Sequence, residues 1–208
     1  MSTFKYYYLN IFERNIIYDH FWGIMMVAFS IRIENIVAST SLNVKIPLEK
    51  IVEHLEGTEY EPEQFPGLVY RMKDPKAAAL IFSSGKIVCT GARSIADVKK
   101  VVKKVVVMIK EAKLGEPKKY SIQIENIVAS AKLEAKLNLD KIAFELENSE
   151  YEPEQFPGLF YRMKNPKVAF LLFSSGKIVC TGVRKVEDIE FSVKILSKRL
   201  KSIDALKK

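Results

Sequence analysis

The chain of 208 residues repeats itself once, with a shift of 91 residues. The segment SIRIENIVAS, which begins at Ser30, returns at Ser121 as SIQIENIVAS, and EYEPEQFPGL begins at both Glu59 and Glu150. No gap is needed between residues 30 and 93, where about 70% of the aligned positions are identical. Solenoids stack many short units, so a long period that occurs only twice indicates a duplicated half-domain. The molecule is therefore expected to have a pseudo-twofold axis.

Each repeat is predicted to contain the same strands and helices. In the first repeat IRIENIVASTSL predicts a long strand, and PLEKIVEHLE predicts a short helix with proline at its start. After the acidic stretch EYEPEQFPG, which predicts a turn, GLVYRM, AAALIF and KIVCTG predict three strands. A long helix is predicted after Ser94, and its counterpart from about Val186 to Leu200. The fold class is α+β, with about ten strands and four helices.

The predicted strands are apolar on both faces. In IENIVAS, Asn35 and Val37 lie on one face while Ile36 lies on the other. The amphipathic helices can cover only one face of the sheet, so the other face is expected to be a large exposed apolar patch of the kind that binds ligands. The alternative is that a second sheet or a dimer partner covers this face, in which case it has no binding role.

Composition narrows the class of ligand. The net charge of +8 favours an anionic partner, with nucleic acid the first candidate and a membrane surface the second, although a basic protein need not have either. Cys89 and Cys180 are too few for a disulfide framework and are predicted to be small buried side chains in a reducing, intracellular setting. The sequence offers no zinc spacing, no nucleophile–base pair and no glycine-rich phosphate loop, so neither an enzyme, a metal nor a cofactor is expected.

The exposed face suits one nucleic-acid surface in particular. Its few polar groups are short and neutral, as at Asn35 and Thr90, while lysine and arginine lie near the strand ends. The minor groove of A·T-rich DNA presents only acceptors on its floor and lacks the amino group of guanine. Asparagine and threonine can donate to those acceptors, and valine and leucine can pack where that amino group would clash.

The first 28 residues differ from the rest of the chain. They are rich in Phe, Tyr, Ile, Asn and Lys, the residues that AT-rich codons encode, and charged residues interrupt every apolar run. This composition is not typical of a signal peptide or a membrane span. Our hypothesis is that this extension is translated upstream sequence and that the true start is Met25 or Met26. The predicted domains are therefore an extension over residues 1–28, a first repeat over 29–117 and a second over 118–208.

Several long motifs carry a family resemblance. ENIVAS, YEPEQFPGL, YRM-x-x-PK and FSSGK occur twice and in the same order, and together they resemble the TATA-box-binding protein family, in particular its archaeal members. The resemblance covers residues from about 30 to 200. It implies a pseudo-twofold saddle in which a curved ten-stranded antiparallel sheet has its concave face on DNA and four helices on its convex side. It also implies a general transcription factor that is a monomer on DNA; a weak dimer in the free state is left open.

The resemblance also implies individual DNA contacts. Asn35 and Asn126 match the asparagines that hydrogen-bond the central base pairs, and Thr90 and Thr181 match threonines that donate to base acceptors. The other implied contacts are flat apolar side chains (Val37, Val88, Val128, Val179, with Leu80 and Leu171 beside the wedges), wedging phenylalanines (Phe65, Phe82, Phe156, Phe173) and phosphate contacts (Arg71, Lys86, Arg162, Lys177). Inserted rings unstack and kink the TATA box at its two ends.

The implied protein partner is transcription factor B, which would contact the second acidic stretch at Glu152, Glu154 and Gln155 and so recruit RNA polymerase indirectly. A cytoplasmic, nucleoid-associated protein is expected. One departure concerns Glu34 and Glu125, which replace the glutamine of eukaryotic relatives; because a carboxylate repels phosphate, no DNA contact is assigned to them. The alternative function is a sheet-based RNA-binding or protein-interaction module.

Overall fold

The two repeats fold into the same succession of elements. The computed structural model describes residues 28–117 and 119–207. The segment before residue 28, with the hypothesis of a start at Met25 or Met26, lies outside them. The first repeat contains β1 (Phe29–Ser41), α1 (Leu48–His54), β2 (Thr58–Glu59), β3 (Gly67–Met72), β4 (Ala77–Phe82), β5 (Lys86–Ala92) and α2 (Ile95–Glu111). The second contains β6 (Gln123–Leu133), β7 (Lys136–Leu137), α3 (Leu139–Glu145), β8 (Ser149–Glu150), β9 (Gly158–Met163), β10 (Val168–Phe173), β11 (Lys177–Val183), α4 (Val186–Ser202) and β12 (Leu206–Lys207).

Ten of the strands form one antiparallel sheet, in the order β2-β3-β4-β5-β1-β6-β11-β10-β9-β8. At its centre β1 pairs with β6, and Ile36 lies opposite Ile127, its own equivalent in the other repeat. The pseudo-twofold axis therefore passes between these two residues, and the predicted fold class is confirmed. The prediction missed β2 and β8, which lie at or just before the start of the acidic stretch, and also the small two-stranded sheet of β7 and β12.

Local sequence explains where the long helices begin. The Ser94 hydroxyl accepts the backbone N–H of Asp97 at 3.0 Å and donates to the Asp97 carboxylate at 2.6 Å, so one of the free N–H groups at the start of α2 is satisfied. In α4, which begins at Val186, Glu187 and Asp188 supply negative charge in the first turn and Arg199 supplies positive charge in the last. The predicted N-cap of α2 is thus confirmed.

All four helices contribute to one hydrophobic core on a single face of the sheet, here called the covered face. The strand residues that point into this core alternate with residues that point away, as period-2 patterning requires. Cys89 and Cys180 lie on the covered face as free thiols, and burial raises their pKa values to about 11 and about 12. Other fully buried side chains of the core are Ile36, Ile81, Ile87, Ile127, Leu159, Phe170, Leu172 and Ile178.

The opposite face of the sheet, here called the open face, is not covered by any segment of residues 28–117 or 119–207. Its apolar and amide side chains are half-buried only because neighbouring side chains shield one another, as Val37, Val88 and Asn126 illustrate. Among these described residues no second sheet covers the open face. No helix among the described residues is long and apolar enough to cross a membrane.

Candidate nucleic-acid interface

An asparagine lies on the open face of each central strand, Asn35 on β1 and Asn126 on β6, and is held by the neighbouring strand of the sheet, β5 or β11. In the first repeat the backbone N–H of Gly91 donates to Asn35 Oδ1 at 2.7 Å, and Asn35 Nδ2 lies 3.3 Å from Thr90 Oγ1. In the second, Gly182 donates to Asn126 Oδ1 at 2.9 Å, and Asn126 Nδ2 lies 2.9 Å from Thr181 Oγ1.

This network fixes the orientation of both amide groups. A backbone N–H can only donate, so the atom that it meets must be the amide oxygen. The amide NH₂ therefore has one hydrogen for the threonine and a second for a ligand above the sheet. The two half-buried asparagines consequently present oriented donors, and each lies within three residues of the pseudo-twofold axis on its strand.

An aromatic pair lies near each end of the open face. The rings of Phe65 and Phe82 meet edge-to-face with centroids 5.8 Å apart, and those of Phe156 and Phe173 do so at 6.1 Å. Phe65 and Phe156 are 39% and 38% exposed, which is high for phenylalanine. The structure therefore brings together each pair of rings that the sequence assigned to a wedge.

Two glycines make room for these aromatic pairs. A Cβ added to Gly67 would lie 2.7 Å from Phe65 Cε1 and 2.9 Å from Phe82 Cε1. At Gly158 the nearest ring atom, Phe156 Cε1, would be at 2.6 Å. All three distances are shorter than van der Waals contact, so any larger residue would displace the rings.

The acidic stretches hold the outer phenylalanine of each pair. We call residues 59–66 the first stirrup and 150–157 the second stirrup. The backbone N–H of Phe65 donates to Glu61 O at 2.9 Å, and that of Phe156 donates to Glu152 O at the same distance. These turns seat one ring each against the sheet and leave the stirrup glutamates in solvent. The predicted partner residues Glu152, Glu154 and Gln155 are all exposed.

The second aromatic pair has a third ring that the sequence reasoning missed. Phe160 is 46% exposed on the open face, and its ring stacks on Phe156 with centroids 5.7 Å apart. The equivalent residue of the first repeat is Val69. The signal was present in the sequence, because position 160 is one of the few strand positions at which the repeats differ in size.

The cationic residues at the rim differ between the repeats. Arg71 forms a salt bridge with Glu59 of the first stirrup, with Arg71 Nε 3.1 Å from Glu59 Oε1. Arg162 has no ion pair with any of the described residues. Lys86 and Lys177, the other predicted phosphate contacts, are exposed at the starts of β5 and β11. One predicted phosphate contact is thus engaged by a carboxylate, while its equivalent is not.

Glu34 and Glu125 join the two repeats across the pseudo-twofold axis. Each is the extra residue at a register shift between β1 and β6. The hydroxyl of Ser130 donates to Glu34 at 2.7 Å, and that of Ser39 donates to Glu125 at 2.6 Å. The hydrogen bond from Ser130, with smaller contributions from nearby arginines, lowers the pKa of Glu34. The Ser–Glu contacts were not predicted, because they depend on the register.

The remaining predicted contacts are also placed on the open face. Leu80 and Leu171 lie beside the aromatic pairs, and Val37, Val88, Val128 and Val179 surround the asparagines as half-buried side chains. No group of three or more metal-ligating side chains occurs among the described residues.

The sequence of each repeat matches one family model. The model described as transcription factor TFIID, or TATA-binding protein, TBP, matches residues 30–112 and again residues 121–203. The chain belongs to the TATA-box-binding protein family. This is a family of DNA-binding transcription factors and not of enzymes, as the sequence predicted.

Relatives within the TATA-box-binding protein family are similar over most of this chain. The TATA-box-binding protein of Methanobrevibacter smithii is 53% identical over 181 residues, which are 87% of this chain and 100% of that protein. That of Archaeoglobus fulgidus is 49% identical over 86% of this chain and 98% of its own length. The solved structure of Methanococcus jannaschii TBP matches with a TM-score of 0.78 and 47% identity, and covers 83% of this chain and 98% of that one. The saddle of this family is thus the fold of this chain.

Proposed function

We propose that this protein is a general transcription factor that binds the minor groove of TATA elements with its open face, kinks the DNA with its aromatic pairs and recruits transcription factor B. Membership of the TATA-box-binding protein family supports a transcription factor that binds TATA DNA. The finer steps rest on the geometry of the open face.

The observation that carries the proposal is the pair of oriented asparagines. Each amide has one N–H group beyond the one that meets its threonine, and on this otherwise apolar face that group can meet adenine N3 or thymine O2. A guanine amino group would place a donor against a donor and would also press on Val37 or Val128. Discrimination against G·C pairs then comes from exclusion rather than from a separate contact for each base.

The aromatic pairs supply the proposed deformation. Insertion of Phe65 at one end and Phe156 at the other would separate two base steps, which costs a few kcal/mol per step and costs least at flexible pyrimidine–purine steps such as TA. Bending towards the major groove then allows the whole open face to contact the widened minor groove. The exposed lysines and arginines at the rim would neutralise phosphates on either side.

The second stirrup would provide the contact for transcription factor B. Glu152, Glu154 and Gln155 are exposed in the turn that precedes Phe156, so they would remain accessible when the ring is inserted. An acidic turn on a basic protein is suited to a cationic partner surface. RNA polymerase would then be recruited through this partner, and the complex would form at the nucleoid.

A gel shift with matched duplexes tests the proposal. We expect tight binding to a TATA duplex and weaker binding to a duplex with two central G·C substitutions by about 1–3 kcal/mol per substituted pair. Addition of transcription factor B should shift the TATA complex further. Equal affinity for the two duplexes would refute TATA recognition, and preferential competition by single-stranded RNA would favour the RNA-binding alternative.

A further inference from the structure

The short helices α1 and α3 differ at one exposed position. Phe144 of α3 is 89% exposed, and its equivalent in α1 is Glu53. Burial of an exposed aromatic ring against a partner is favourable. The residues around the ring therefore indicate which kind of partner would fit. Phe144 lies on the surface of α3 away from the core, because Leu139 and Ile142 of the same helix are buried.

The surface around Phe144 is acidic. Asp140 and Glu145 of α3 are exposed, and so is Glu147 just beyond it. The one lysine of the helix, Lys141, pairs with Asp204 at 3.5 Å. An aromatic side chain within a ring of carboxylates is complementary to an apolar pocket bordered by lysine or arginine.

This acidic surface is continuous with the second stirrup. Ser149, which precedes the stirrup by one residue, donates its hydroxyl to Leu146 O at 2.6 Å and lies 3.3 Å from Ala143 O. The end of α3 is thereby tied to the start of the stirrup, and Phe144 follows Ala143 directly. A partner that engages Glu152 and Glu154 is therefore near enough to cover the ring as well.

We propose that Phe144, with Asp140, Glu145 and Glu147, forms the aromatic anchor of a docking surface for a cationic protein, and that this anchor restricts docking to the second repeat. The inference rests on the proposed function, because the partner is the one that contacts the second stirrup. Both stirrups have the sequence EYEPEQFP, so the stirrups alone cannot tell a partner which half to bind. Phe144 provides the missing difference.

Two other occupants have less support. The segment 1–27 of this chain carries two basic and two acidic residues, so it offers no net positive charge to the acidic surface. A second copy of the chain offers a pocket lined by Met163, Val168 and Val183 and bordered by Lys164, Lys167 and Arg184. That pocket also includes Arg162, a proposed phosphate contact, so a copy bound to DNA is a poor occupant. Both occupants are nevertheless outcomes of the test.

The test uses Phe144→Glu, which installs the residue of the first repeat. Phe191→Lys is the matched control, because Phe191 is 58% exposed on α4 and its equivalent in α2 is Lys100. Affinity for transcription factor B is measured by gel shift on the preformed TATA complex. We expect a loss of about tenfold or more for Phe144→Glu, the size typical of an aromatic anchor, and wild-type affinity for Phe191→Lys. Binding of both variants to TATA DNA alone should be unchanged.

A reciprocal variant tests the restriction to one repeat. Glu53→Phe gives both halves an anchor, so transcription factor B tethered to a cleavage reagent should cut on both sides of the TATA box rather than mainly on one.

If Phe144→Glu binds the partner normally, or if Phe191→Lys loses as much affinity for it, the inference is wrong while the proposed function stands. Failure of the wild type to bind TATA DNA would overturn the function itself. A smaller particle for Phe144→Glu in light scattering would identify a second copy as the occupant. An increase in the solvent exposure of the Phe144 ring after removal of residues 1–27 would identify that segment as the occupant.

Discussion

The two repeats have diverged to different degrees on the open face and on the solvent side of the helices, here called the outer surface. On the open face the two repeats keep equivalent contacts around Asn35 and Asn126, and the main difference is the ring of Phe160 in place of Val69. On the outer surface they have diverged, since Glu53 is replaced by Phe144 and Lys100 by Phe191. DNA is itself pseudo-symmetric about a TATA box, so a DNA-binding face gains from symmetry, whereas a contact with a single partner requires asymmetry.

The largest expected effect comes from the aromatic pairs. Phe65→Ala leaves only Phe82 at its end of the site, whereas Phe156→Ala leaves both Phe160 and Phe173. Each variant should weaken TATA binding by about 1–3 kcal/mol, the usual contribution of an aromatic side chain to base stacking, and Phe65→Ala should lose more. Energy transfer between end-labelled DNA termini should report a smaller bend in both cases. Unchanged bending would refute the wedge role, and equal losses would mean that Phe160 contributes nothing.

The asparagines come next, with an expected loss in the same range, and here the repeats should behave alike. Asn126→Ala and Asn35→Ala should each reduce TATA affinity by about 1–3 kcal/mol, measured by fluorescence anisotropy. Asn126→Asp is the informative control, because it keeps the oxygen that accepts from Gly182 and removes the outward donor. We expect it to bind no better than the alanine variant. A difference of more than a factor of ten between Asn35→Ala and Asn126→Ala would show that the two halves read the DNA unequally.

The salt dependence of DNA binding should respond differently to loss of the rim arginine in the two repeats. Arg162→Ala should reduce the slope of log affinity against log salt concentration by about one, as expected for one lost phosphate contact. Arg71→Ala should reduce it less, because Glu59 already occupies that guanidinium. In a Glu59→Gln background the effect of Arg71→Ala should rise to that of Arg162→Ala. If it does not, the salt bridge with Glu59 has no influence on DNA binding.

The smallest effect is expected at the Ser–Glu contacts. The pKa of Glu34 is lowered in the folded protein from its ordinary value of 4.5, so its contact with Ser130 adds stability above that value, and the stability is lost as the pH falls through the lowered pKa. Ser130→Ala should therefore raise the pKa of Glu34 in an NMR titration, and its destabilising effect should disappear in acid. Ser39 donates to Glu125 and not to Glu34, so Ser39→Ala should leave the titration of Glu34 unchanged. An unaltered pKa of Glu34 in Ser130→Ala would contradict the assignment.

Most of the architecture was predictable because the repeat, the strand alternation and the cap at Ser94 are local features of the sequence. The pairs Phe65–Phe82 and Phe156–Phe173 were also predictable, through the family resemblance rather than through periodicity. The salt bridge between Arg71 and Glu59 was not, because sequence does not fix side-chain pairing between neighbouring strands.

Register explains the other misses. Whether Glu34 meets a serine or a phosphate depends on an extra residue in the pairing of β1 with β6, and a shift of one residue changes every such contact. Strands of two residues, such as β2 and β8, carry too little pattern to be recognised. Their shortness also limits the unpaired edge that each end of the sheet offers to other chains.

The reciprocal contacts of Glu34 with Ser130 and of Ser39 with Glu125 have the form of an isologous interface, in which residue i meets residue j and j meets i. Each repeat carries both halves of the contact, a glutamate and a serine at the same spacing. A single ancestral repeat would thus have possessed everything needed to recognise its own copy at this seam. The covalent joining of two copies fixed their stoichiometry at one to one, and only then could the outer surface of one half change without changing the other.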